Sequence, residues 1–326
     1  MIKVGTIGTS FIAKEFVTNV NKIDGIQVSA CYSRTLEKGE KFAKENNINN
    51  VYTDLLKMLE SDIDLVYVAS PNTVHYEQVK LALDHNKNVL CEKPFVTKYS
   101  QAKELSDLAI KKKLFLFEGA TVLYLPNYKK LKEMMATTDN ITLVSSNLSQ
   151  YSSRYDAYLR GEITNAFDPK YGGGALADLN IYNMHFMCGL FGTPEQVYYL
   201  PKKGFNEVDV NGILVLKFSN FNCVCIAAKD SWSKRNAMIQ TTEGYYYIEM
   251  NSTLCSNITY VPNKKEALPT INEQTENSAM YYEVKEIARI IDTNDYEQCY
   301  KLLDHSVNVS SVFEKAQQDG KLLYWK

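Results

Sequence analysis

Arginine is scarce in this chain: only residues 34, 154, 160, 235 and 289 among its 36 basic residues are Arg, so the placement of each is worth following. Neither sign of charge is in excess, with Lys+Arg 36 against Asp+Glu 38 and a net charge of −2. That balance argues against nucleic acid or an anionic membrane surface as the main partner. No run approaches ~18 consecutive apolar residues, so no helix is expected to span a bilayer. The opening Met1-Ile2-Lys3-Val4-Gly5 lacks the basic start, apolar stretch and small-residue cleavage site of a secretory signal. The seven cysteines (31, 91, 188, 223, 225, 255, 299) are odd in number and show no CxxC spacing. This excludes a disulfide framework or zinc knuckle and fits reduced thiols in a cytoplasm. The four histidines (75, 85, 185, 305) form no HExxH, and no metal site is expected. With 8 prolines and 15 glycines, no segment is rich enough in either to form a loose linker.

What is present divides at about residue 120. At ~150 residues per domain, 326 residues suggest two. Up to residue 117, short apolar strands alternate with helices: strands at 2–7, 26–32, 51–52, 64–69, 88–91 and 114–117, with helices between them. This order predicts βαβ units and a doubly wound parallel sheet. Beyond Pro126 the pattern becomes a helix at 127–136, a strand at 141–150, an irregular stretch and a helix at about 174–190. Strand-like runs follow at 195–200, 210–218, 222–229, 235–242 and 245–250, as expected of an antiparallel sheet. Two amphipathic helices, 278–292 and 296–318, end the chain. The expected fold is thus α/β: a Rossmann domain over 1–121, then an α+β domain over 122–326 with a large open, mostly antiparallel sheet. This division leaves room for the terminal helices to pack back on the first domain.

The first strand runs into Gly5-Thr-Ile-Gly8-Thr9-Ser10-Phe11-Ile12-Ala13. Against the GxGxxG fingerprint of a dinucleotide turn, Gly8 fits the tight turn, Ser10 replaces the second Gly, and small Ala13 replaces the third. The helix that begins there would offer free N–H groups to a pyrophosphate. An ordinary βα turn would share much of this pattern. At the end of the second strand an NAD enzyme usually places an acid for the ribose 2′-hydroxyl. Here stand Ser33-Arg34-Thr35, 26 positions after Gly8 in the case of Arg34, with Lys38 one turn later. Hydroxyl and guanidinium suit a 2′-phosphate, which favours NADP over NAD. A plain surface Arg, or one stacked on the adenine of NAD, would read the same way.

The strand at 88–91 leads into Glu92-Lys93-Pro94, placing a lysine at the carboxyl end of a parallel strand, where ligands bind in this architecture. Further on, Gly172-Gly173-Gly174 precedes a helix bearing Asp178 and Tyr182, i and i+4 on one face, with His185 a further three residues on. Taken together, the Gly5–Ala13 turn, Ser70-Pro71-Asn72 with His75, Glu92-Lys93-Pro94 and Gly172–Tyr182 resemble the Gfo/Idh/MocA oxidoreductase family over nearly the whole chain. The Asp178-x-x-x-Tyr182 form is similar to its dimeric dihydrodiol dehydrogenase and glucose-fructose oxidoreductase branch. The resemblance implies that Lys93 takes part in catalysis beside a Lys–Pro bond that is often cis. It also implies that Asn72 and Glu92 line the cofactor site and that the helix after the glycines carries the remaining catalytic groups. Leu123 stands where many relatives carry an Arg, which implies a less anionic or less polar substrate on that side.

The expected cofactor contacts are therefore Gly8, Thr9, Ser10, Phe11, Ile12, Ser33, Arg34, Lys38, Ser70, Pro71, Asn72, His75, Glu92 and Lys93. The expected catalytic groups are Lys93, Tyr182 and Asp178. Tyr182 would pass a proton to the carbonyl oxygen, its phenol (ordinarily ~10) lowered by an ammonium. Lys93 would tune it and polarise the oxygen, and Asp178 would orient substrate hydroxyls or Lys93. Tyr124, Tyr151 and Arg154, with Asp178, Tyr182 and His185, are the expected substrate contacts; Tyr155, Tyr158 and Phe167 are further candidates for an aromatic wall. Each residue also has a plainer reading: Asp178 as a helix-start charge, Tyr182 as a core tyrosine, Lys93 as a surface lysine, His185 and His75 as structural histidines. The expected reaction is NADP-preferring hydride exchange with a sugar, polyol or trans-dihydrodiol, in a homodimer or homotetramer. Its rivals are an NAD-dependent glycosidase of the same fold and a catalytically idle NAD(P)-binding regulator.

Overall fold

The computed structural model describes residues 1–322. Its elements begin with β1 (Ile2–Ile7), α1 (Phe11–Val20), β2 (Ile26–Tyr32), α2 (Leu36–Asn46), β3 (Asn50–Tyr52), α3 (Leu55–Leu59), β4 (Leu65–Val68), α4 (His75–Asp84), β5 (Asn88–Glu92), α5 (Tyr99–Lys112) and β6 (Leu116–Gly119). There follow α6 (Pro126–Met135), β7 (Ile141–Ser149), α7 (Tyr155–Leu159) and a π-turn at Leu176–Asn180 that runs into α8 (Ile181–Phe191). The chain continues with β8 (Gln196–Lys203), β9 (Asp209–Lys217), β10 (Asn222–Ala228), β11 (Asn236–Thr241), β12 (Gly244–Glu249), α9 (Asn251–Leu254), β13 (Asn257–Pro262), α10 (Ala279–Asp292) and α11 (Tyr296–Asp319). Contacts group these into two units, Met1–Gly119 with Met280–Val307, and Ala120–Ala279 with the chain from Asn308. Among the described residues no helix is long and apolar enough to cross a membrane.

The first unit is built on a six-stranded sheet in the order β3-β2-β1-β4-β5-β6, parallel throughout. Strand β4 is buried at every residue because helices cover both faces of the sheet. Phe16 of α1 stacks on Tyr67 of β4 at 3.8 Å. Val79, Leu83, Ala102 and Leu105 of α4 and α5 pack with Val66, Val68 and Val89. From the C-terminal part of the chain, Leu303 joins that core, and Tyr296 stacks on Phe115 at 4.3 Å. The strand order reverses between β1 and β4, the switch point at which such sheets bind their ligands.

The second unit carries a seven-stranded sheet in the order β13-β12-β11-β7-β10-β9-β8. Every neighbouring pair is antiparallel except β7 and β10. The parallel pair was not expected. Hairpins orient β8, β9 and β10 among themselves, but a long excursion separates β7 from β8, so no tight turn sets their relative direction. The faces differ in kind. Tyr199, Leu214, Cys225, Ala237, Ile248 and Ile258 alternate inward and are buried. Outward, Leu200, Ile213 and Ile226 form one cross-strand row, and Tyr198, Val215, Val224, Ser145, Met238 and Tyr247 form the next.

Candidate active site

In the first unit, the sequence turns at Gly8 because only glycine fits there. Its φ is +112°, and a Cβ would lie 2.7 Å from the Ala69 carbonyl oxygen at the end of β4. The turn delivers the chain to Ser10, which starts α1 in extended geometry while its hydroxyl caps no amide. The free N–H groups of this first turn thus keep their capacity for an anion. Phe11 beside them is 77% exposed. At the end of β2, Ser33 is buried and Arg34 and Lys38 are exposed, with no carboxylate at residues 33–35. An uncapped helix start at the switch point, with a guanidinium at the neighbouring strand end, fits a dinucleotide bearing a 2′-phosphate. Thr9, Ile12, Ser70, Pro71 and Asn72 are all partly accessible at strand or helix ends of this sheet.

Lys93 follows β5, is partly accessible and precedes Pro94 through a cis peptide bond. Two residues expected at the cofactor, His75 and Glu92, make hydrogen bonds within the protein. His75 is fully buried, with Nδ1 3.0 Å from the Pro94 oxygen and Nε2 2.9 Å from the Ser70 oxygen. Burial holds its pKa down, so the neutral ring donates to one of these carbonyls while bracing the Ser70 loop against the Lys93–Pro94 loop. Glu92 is buried, and its carboxyl accepts a 2.6 Å bond from Tyr67. Burial raises its pKa, opposed by the Tyr67 bond and by the Lys93 charge. Behind it, Glu118 accepts the Phe95 amide at 2.8 Å, so buried acids and backbone fix both ends of the loop that bears Lys93.

In the second unit, Gly172–Gly174 leads into the π-turn. Gly174, at φ +125°, leaves no room for a Cβ, which would overlap Asp209 Oδ1. Asp209 is fully buried and its Oδ2 accepts the Leu176 amide and the Tyr199 hydroxyl, both at 2.6 Å. Burial pushes its pKa up to about 6, against the opposing pull of the Tyr199 and Leu176 bonds and the Lys229 charge. The sequence pattern read 174–190 as one α-helix; its first turn is instead wound as π, a feature common at functional sites. From Gly172 to Cys188 every residue is buried except Asp178, Leu179 and Tyr182. Rotation of α8 is locked by Asn183, whose Oδ1 accepts Ser146 and Ser252 at 2.9 Å each and whose amide reaches Asn180 at 2.9 Å.

The aromatic wall reads differently in the structure. Tyr158 and Phe167 are core residues, packed with Val208 and Val210, and their rings stack at 4.9 Å. His185 and Tyr124 are buried as well. Tyr151 is 42% exposed and bonds Asp156 at 2.6 Å; Arg154, at the start of α7, is exposed.

Lys229 was not among the expected site residues. Its ammonium is buried and reaches Asp178 Oδ2 at 2.8 Å, the Ala166 oxygen at 2.7 Å and the Phe167 ring face at 4.5 Å. A signal for it existed: Cys223, Cys225 and Ala227 alternate inward along β10, and Lys229 continues that parity. Among the described residues no group of three or more His, Cys, Asp or Glu is placed to hold a metal ion.

Comparison with known proteins gives two family matches. Residues 2–120 match the oxidoreductase family with the NAD-binding Rossmann fold, and residues 128–247 match the GFO/IDH/MocA C-terminal domain. The NADP(+)-dependent scyllo-inositol 2-dehydrogenase IolU of Bacillus subtilis is 32% identical, over 99% of this chain and 98% of its own. The trans-1,2-dihydrobenzene-1,2-diol dehydrogenase of Xenopus tropicalis is 27% identical, over 99% of each. Among solved structures, KijD10, a 3-ketoreductase from Actinomadura kijaniata in complex with NADP and TDP-benzene, superposes with a TM-score of 0.85. It is 19% identical, over 98% of this chain and 97% of its own, and so shares the fold.

Proposed function

Because this chain belongs to the Gfo/Idh/MocA oxidoreductase family, we propose that it interconverts a ring hydroxyl and a ring carbonyl on a sugar, polyol or trans-dihydrodiol. It is an NAD(P)-dependent oxidoreductase that acts on CH–OH groups of a small molecule. The substrate class draws on relatives whose names specify scyllo-inositol, a dihydrodiol and D-xylose. When bound, the nicotinamide supplies or accepts the hydride. Gly8–Ile12, Ser33, Arg34, Lys38 and the Ser70–Asn72 loop are the residues that would hold the dinucleotide.

The observation that carries the assignment is the pattern of access along the second unit's helix. On a segment buried from Gly172 to Cys188 except at Asp178, Leu179 and Tyr182, the two polar residues left partly accessible are Asp178 and Tyr182, one turn apart. We assign proton delivery to Tyr182, orientation of a substrate hydroxyl to Asp178, and polarisation of the reacting oxygen to Lys93. A Tyr182→Phe variant is expected to lose about 100-fold or more in kcat with nearly unchanged NADPH affinity. Turnover of a panel of sugars, polyols and diols, followed by cofactor absorbance, tests it. A variant with the wild-type rate removes Tyr182 from the chemistry. Turnover without net cofactor change would favour a glycosidase instead.

Two further parts of the reading concern setting. Seven unpaired, buried thiols support a reducing cytoplasm. The outward rows of Leu200, Ile213 and Ile226, with Tyr198, Val215 and Val224, support a homodimer or homotetramer built on that sheet face.

A further inference from the structure

We propose that Lys229 is a positioning residue for the reaction, holding the Asp178 carboxylate in one orientation for a substrate hydroxyl. The inference rests on the assignment of Asp178 to the active site.

A buried ammonium must be paired and hydrogen-bonded, and Lys229 is. Its side chain retains 2% exposure while that of Asp178 retains 44%. The asymmetry fixes the direction of support. Asp178 is the open member of the pair and Lys229 the enclosed one, so the pair does not exist to offset burial of Asp178. What the buried partner supplies is a fixed anchor. Oδ2 is held at 2.8 Å by an ammonium that cannot swing away. The Ala166 oxygen at 2.7 Å and the Phe167 ring at 4.5 Å hold that ammonium in turn. On the backbone, the Asp178 amide bonds Gly174, and the Lys229 amide bonds the Val210 oxygen at 2.8 Å. Two acids lie near the ammonium, and the one bonded to it is the accessible Asp178; Asp209 acts on it only through its charge. A pair serving the core alone would have joined the two fully buried groups. Rigid support of this kind is what keeps a substrate-orienting group within the tolerance that turnover requires.

The experiment is a double-variant cycle in kcat and KM with Lys229→Met, Asp178→Asn and the two combined, alongside NADPH affinity and the melting temperature. Lys229→Met is expected to lower kcat by about 10- to 100-fold, with NADPH affinity unchanged. The combined variant is expected to be no slower than Asp178→Asn alone, since both act through one carboxylate. A purely structural lysine would lower the melting temperature and leave kcat untouched well below the melt; that result overturns the proposal. So does a combined variant slower than Asp178→Asn by the full Lys229→Met factor. If Lys229→Met does not fold, the combined variant, which leaves no unpaired charge, still decides by comparison with Asp178→Asn. Should Asp178→Asn itself retain wild-type kcat, the active-site assignment of Asp178 falls, and the role of Lys229 with it. Loss in Asp178→Asn with none in Lys229→Met overturns the Lys229 proposal alone.

Discussion

Arg34 sits on the first exposed residue after Ser33, where strand β2 ends. A guanidinium there gains a charge-assisted bond with a 2′-phosphate and nothing comparable from a 2′-hydroxyl. A hydrogen bond to a charged group contributes ~1.5–3 kcal/mol, or roughly 10- to 100-fold in affinity. Arg34→Ala is therefore expected to weaken NADPH by about that factor and NADH by far less, measured by titrating both against the protein. Equal losses would show that Arg34 acts on a part the two cofactors share, such as the adenine, and not on the 2′-phosphate. At this scale the sequence was informative wherever a residue belongs to a local spacing. Asp178 and Tyr182 could be read as a pair because four positions separate them in the run that the family resemblance picks out. Lys229 was missed because its partner is 51 residues away, and a lysine closing an apolar strand reads as a solvated end. Proximity in sequence did not reveal the internal bonds of His75 and Glu92: the His75 ring bridges two backbone carbonyls and Glu92 accepts from Tyr67.

Elements with a strong period were placed within a few residues, from β1 to α11. Those whose identity depends on distant partners were not. Strand β13 pairs with β12 through Tyr260 and Thr259, but its alternation spans only Asn257–Tyr260 before Val261 and Pro262 break it, and it was missed. The π-turn at Leu176–Asn180 has no periodic signature; its start is set by Asp209, which arrives from β9 to accept the Leu176 amide. The burial of Asp209 at that contact acts on stability. The carboxyl of Asp209 is raised from 3.8 to about 6 by burial, so the folded state holds its proton more tightly than the unfolded chain does. The stability this gives is complete below pH 3.8 and is lost as pH rises through about 6. At ~1.36 kcal/mol for each pH unit, the interval is worth about 3 kcal/mol. Asp209→Asn has no proton to lose. Between pH 4 and pH 7 its stability, read by urea unfolding, is expected to improve relative to the natural protein by up to about 3 kcal/mol. Parallel pH profiles would mean that Asp209 ionises alike in both states.

On the scale of the whole molecule, the outer face of the seven-stranded sheet remains to be accounted for. Ile213 and Ile226 stand directly opposite each other on β9 and β10, and they are 40% and 39% exposed. Leu200 on β8, opposite Ile213, is 63% exposed. Scattered single apolar residues on a surface need no explanation, but contiguous rows across neighbouring strands do. Their registry is what a twofold sheet-on-sheet contact would use, each row meeting its copy. Ile213→Lys combined with Ile226→Glu tests this without harming the subunit. The new charges face each other across one strand pair and support it, whereas burial in a contact between copies would leave them desolvated. Sedimentation of the natural protein is expected to give a dimer or larger assembly, and the variant a monomer with unchanged melting behaviour. A monomer in both cases would assign these rows no partner of their own kind. An assembly that survives both charges would place the contact on another surface.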